Sequence, residues 1–154
     1  MKKKEANKIN ILELLLFIIY LILLVYFLFF AESMGRTKFN RGYSYNIIPF
    51  KEIKRFIIYH KELGMMAVLT NIVGNIVCFV PFGYMLPILS TKIRKLLLVG
   101  LVSFELSIII EVTQLLLKVG SFDVDDLLLN TLGGLIGFGI YSFANRIIRK
   151  WFKK

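Results

Sequence analysis

Four apolar runs, each about as long as a bilayer is thick, narrow what this chain can fold into. They cover about residues 11–30, 65–89, 96–117 and 127–144, and roughly 20 predominantly apolar residues let one helix cross the hydrocarbon core. Hydrophobic residues make up 57% of the sequence and the mean hydropathy is +0.72, far above soluble proteins. The expected fold class is therefore all-α: a polytopic membrane protein with four transmembrane helices in one membrane domain, residues 11–144. The first run is too long for the apolar part of a cleaved leader, about 7 to 15 residues, and is read as a retained span.

Charge sets the expected orientation. The short flanks 1–10, 90–95 and 145–154 carry twelve Lys and Arg against one acid, Glu5, so both termini are predicted to be cytoplasmic, with a basic N-terminus and a basic tail. The same clustering accounts for much of the net charge of +10, which makes nucleic acid an unexpected partner. Trp151 and Phe152 read as interfacial anchors. Between the first two runs lies the longest polar segment, 31–64. Within it, about residues 47–60, Ile53, Phe56 and Ile57 recur at helical spacing after Pro49, which predicts a short amphipathic helix lying in the interface. A lone histidine, His60, and a lone cysteine, Cys78, suggest neither a metal site nor a disulfide, and no cofactor is expected.

Polar side chains inside the apolar runs need an explanation, because such groups are costly in hydrocarbon. On a helix, Ser107, Glu111, Gln114 and Lys118 form one narrow stripe, whereas Glu105 points about 120° away. On the next run Asp126, Asn130, Gly134 and Gly137 share a face, predicted to lie against the Glu111 stripe. Gly133 and Gly137 form a GxxxG pair suited to close backbone approach. Asn71 and Asn75 are four apart and point the same way, while Pro81 and Pro87 should kink or end the second span. With cytoplasmic termini, these amides and acids, Glu105 apart, fall at one depth, in the outer half of the membrane.

The residues themselves resemble a family. NIVGNIVCFVPFGYMLP, then SIIIEVTQ, then FDVDDLLLNTLGGLIG are similar to the VanZ-like bacterial membrane proteins. Their pattern is an Asn and Gly-Asn element leading to Phe-x-Pro-x-Gly, then S-x-x-x-E-x-x-Q, then D-x-x-D-x-x-x-N-x-x-G. The resemblance covers about residues 46–141. It implies that the family's polar positions fall here on Asn71, Asn75, Pro81, Ser107, Glu111, Gln114, Asp123, Asp126 and Asn130. Many members have an Arg where this chain has Ser121. The family takes its name from a contributor to resistance against teicoplanin, so the resemblance implies a role in the bacterial cell envelope and membrane, without implying a reaction.

Three accounts compete for the polar cluster formed by Asn71, Asn75, Ser107, Glu111, Gln114, Asp123, Asp126 and Asn130. It could be a hydrogen-bonded lock, with Asp123 capping the fourth helix and Asp126 paired to it three residues on. It could recognise the head of an amphiphile, a lipoglycopeptide or a lipid-linked cell-wall precursor, with membrane lipid as the surrounding partner. As the alternative, Glu111 and Asp126 could be the acid/base pair or cation ligands of an intramembrane enzyme acting on a lipid-linked substrate. No Ser-His-Asp set, HExxH, P-loop or CxxC supports catalysis, so binding is the expectation.

Overall fold

Each apolar run becomes a helix, because backbone amides in hydrocarbon have only each other to bond. The computed structural model describes residues 10–34 and 43–151. The cations at positions 2–4 and 8, those at 36, 38 and 41, and the tail beyond Trp151 lie outside the described residues. Four helices are long and apolar enough to cross a membrane. The first is α1, Ile11–Met34. The second span, Met65–Leu89, is built from α4, Met65–Val68, a π turn, Leu69–Val73, and α5, Gly74–Leu89. The third is α6, Leu96–Leu116, and the fourth is α7, Val124–Trp151. Between α1 and the second span lie β1, Tyr45–Asn46, α2, Lys51–Ile58, and one helical turn, α3, His60–Leu63. Four crossings put the first and last described residues at the same end of the bundle.

Helix α7 is the central element, packing on α5 along one flank and on α6 along the other. The glycines make this possible. A Cβ on Gly133 would stand 2.2 Å from the Ile76 carbonyl oxygen, and one on Gly137 would stand 2.0 Å from that of Val80. On the other flank a Cβ on Gly134 would meet Ser103 Oγ at 2.1 Å. The predicted single face of Asp126, Asn130, Gly134 and Gly137 is therefore divided. Asp126 and Gly137 address α5, and Asn130 and Gly134 address α6, because α7 is wedged between both partners.

Helix α1 lies outside this three-helix unit, seated on a core of Leu24, Leu28, Phe79, Phe82, Leu86, Val99 and Ile110. Phe17 stacks on Phe82 with centroids 5.9 Å apart, and the Tyr20 hydroxyl donates to the Cys78 carbonyl at 2.6 Å. Only 11% of its apolar window is buried, so α1 is the most lipid-exposed of the four.

Several boundaries differ from the hydropathy reading. Helix α5 runs through both Pro81 and Pro87 and ends at Leu89; packing against α7 holds it continuous where prolines remove two internal donors. Helix α7 begins at Val124 and continues to Trp151, into the basic tail, because charged residues outside hydrocarbon do not end a helix. Lys118 leaves the α6 stripe. It takes a left-handed conformation, φ 55°, while the Val119 and Gly120 amides fold back to the Gln114 carbonyl at 3.1 and 3.3 Å, a C-terminal cap.

Candidate functional site

At the end of the bundle away from the described termini, the loop after α1 and the loop after α6 meet as two parallel strands. Tyr45 and Asn46 of β1 pair with Phe122 and Asp123 of β2. This pair, two residues on each side, brings together groups more than seventy residues apart in sequence. Asn46 forms an Asx turn, its Oδ1 accepting from the Ile48 amide at 3.2 Å, and its Nδ2 donates to Asp123 Oδ1 at 3.0 Å. Such a turn is what Asn two residues ahead favours.

Asp123 precedes α7 and acts as its cap. Its Oδ1 accepts from the Asp125 amide at 2.9 Å, and its own amide donates to Glu111 Oε2 at 2.9 Å. The partner within the cap is thus Asp125, while Asp126 turns to α5, accepting from Asn75 Nδ2 at 2.6 Å. Burial pushes the Asp123 carboxyl above the usual carboxylate range; the Asp125 amide and Asn46 pull against this, and the charges of Asp125 and Glu52 add to it.

Asp125 performs a function that spacing could not reveal. Its carboxylate reaches across to the start of α2 and accepts from the Phe50 amide, from Glu52 at 2.8 Å and from Ile53 at 3.1 Å. These are the amides a helix start leaves unsatisfied, and the dipole of α2 favours the negative charge. Phe50, in a left-handed conformation at φ 64°, offers no side-chain cap of its own, and Asp125 from α7 replaces it. The side chain is 1% exposed.

Below these acids the cluster continues toward the bundle centre as a ladder between α6 and α7. Asn130 Nδ2 donates to Ser107 Oγ at 2.8 Å. One turn deeper, Ser103 lies against Gly134. Ser103 Oγ and Asn130 Oδ1 are buried and have no hydrogen-bond partner among the described residues. Glu111 is 2% exposed, whereas Asp126 and Asn71 are only partly buried.

Of the sequence-derived candidates, Asn75 with Asp126, Ser107 with Asn130, and Glu111 with Asp123 are brought together. Two others point elsewhere. Asn71 Nδ2 turns back on the Ala67 carbonyl at 2.8 Å within its own helix, and Gln114 Nε2 donates to the Leu28 carbonyl of α1 at 3.3 Å. Asn46, Ser103 and Asp125 were not among the candidates; only the Asn-x-Ile-Pro turn around Asn46 carried a local signal. Among the described residues no three His, Cys, Asp or Glu side chains converge as a metal site requires.

A family model described as VanZ/LLP1 matches residues 17–146, so the similarity takes in most of α1 as well as the three motif-bearing spans. Protein VanZ of Enterococcus faecium is 30% identical over 76 residues, 49% of this chain and 47% of that protein. The chain thus aligns with about half the length of that relative. No solved structure matches.

Proposed function

The chain belongs to the VanZ/LLP1 family, and from that membership we propose that it is a multi-pass protein of the bacterial cell membrane that contributes to teicoplanin resistance by recognising an amphiphile. Both termini are cytoplasmic in this reading, so the polar cluster lies just beneath the outward face. The ligand class is a lipoglycopeptide or a lipid-linked cell-wall precursor, its polar head at the rim and its tail along the lipid-facing helices.

The observation that carries the proposal is the pairing of Asn75 with Asp126. A partly exposed carboxylate is held in one orientation by a buried amide, above acids that brace the helices. Asp126 is the group a ligand head reaches first, and a carboxylate there accepts from hydroxyl, amide or ammonium donors. The acid/base alternative draws less support, because Glu111 is enclosed and bonded to the Asp123 amide, an arrangement suited to a brace.

Teicoplanin susceptibility at matched protein abundance tests the proposal. Asp126→Asn should lose resistance while keeping normal abundance, whereas Glu111→Gln should lose resistance only in proportion to lost protein. Full resistance in Asp126→Asn at normal abundance would overturn it.

A further inference from the structure

Glu105 is the tenth residue of the 21 in α6, on the face turned away from the bundle. Nine helical residues precede it and eleven follow, about 14 and 17 Å of helix at roughly 1.5 Å per residue. Its carboxyl, on two methylenes, is too short to reach either interface from that depth. The surrounding face is apolar: Leu97 (73% exposed), Leu101, Ile109, Val112 and Leu116. Among the described residues Glu105 has no hydrogen bond or ion pair. A carboxyl placed centrally on a lipid-facing stripe is a costly arrangement, and nothing among the described residues relieves it.

We propose that this face of α6 is covered by a second copy of the same chain, with the two Glu105 carboxyls hydrogen-bonded to each other across a two-fold axis along the membrane normal. Every described Lys and Arg lies near a helix end or beyond it, as Lys92, Arg94, Lys95, Lys118, Arg146, Arg149 and Lys150 do, so no cation among the described residues occurs at that depth. A two-fold axis sets each residue opposite its own copy at equal depth. A carboxyl that keeps its proton is both donor and acceptor, so one such group answers another. Leu101, Glu105, Val112 and Leu116 share one side of the helix, and Leu101 and Val112 pack on either side of the paired acids.

Cross-linking in liposomes tests this. In a Cys78→Ser background, Leu101→Cys and Val112→Cys should each give an oxidised dimer, whereas Leu15→Cys on α1 should not. Adding Glu105→Gln, whose amide can self-pair, should keep the dimer. Adding Glu105→Leu should weaken self-association about 5- to 30-fold in energy transfer between labelled copies on lipid dilution, the equivalent of about 1–2 kcal/mol of hydrogen bonding. Glu105→Leu removes no hydrogen bond or ion pair among the described residues, so its thermal stability at high lipid dilution should match the parent. Absence of cross-links at 101 and 112, equal cross-linking at 15, or unchanged association in Glu105→Leu would overturn the proposal.

Discussion

Asp125 shows how one buried charge can be satisfied entirely by backbone. Three amides of the α2 start converge on its two oxygens, and hydrogen bonds to a charged group are worth about 1.5–3 kcal/mol each. Asp125→Ala should lower stability by about 3–5 kcal/mol, read as thermal unfolding in detergent, and should expose residues 50–58 to proteolysis first. Unchanged melting would show that α2 is held by something else. Asp123 gives a pH signature. Its carboxyl holds a proton more tightly when folded than the ordinary value of about 3.9. Its contribution is therefore complete below that value and is lost as pH rises through the raised one. Stability should fall over that window, and Asp123→Asn should flatten the slope of melting temperature against pH.

At the scale of elements, the glycines of α7 decide whether three helices can share one centre. Gly137→Leu would drive a branched side chain into the Val80 carbonyl and should cost at least about 1–3 kcal/mol, separating α5 from α7 with loss of protein from the membrane fraction. Gly139, with open space around its Cβ position, should accept Ala with little change. The contrast between these neighbours is the measurement. Element existence was legible in the sequence, because 20-residue apolar runs have few other uses and the GxxxG spacing of Gly133 and Gly137 speaks locally. The ends were less legible: a helix outside hydrocarbon follows no hydropathy rule, so α7 overran its apolar part to Trp151. Within the site, Asn75, Glu111, Asp123, Asp126 and Asn130 stood out as polar groups in apolar surroundings. Asp125 and Asn46 did not, since both sit in polar segments and gain their partners only when segments 72 to 77 residues apart come together.

For the molecule as a whole, the direction proposed for the bundle in the membrane rests on charge, and labelling can check it. In a Cys78→Ser background, Ser44→Cys should react with a membrane-impermeant maleimide added to intact cells, whereas Ser90→Cys should react only after the membrane is opened. The reverse pattern would place the acid cluster on the cytosolic side and remove the ground for an extracellular ligand. The bond between Asp125 and the start of α2 also bears on biogenesis. A ribosome releases residues 50–53 long before residue 125, so the amphipathic segment has no seat until the final helix is threaded into the bilayer. Synthesis halted after the third crossing would leave that segment adrift on the lipid surface, and its late capture would mark the moment at which the nascent chain becomes a finished protein.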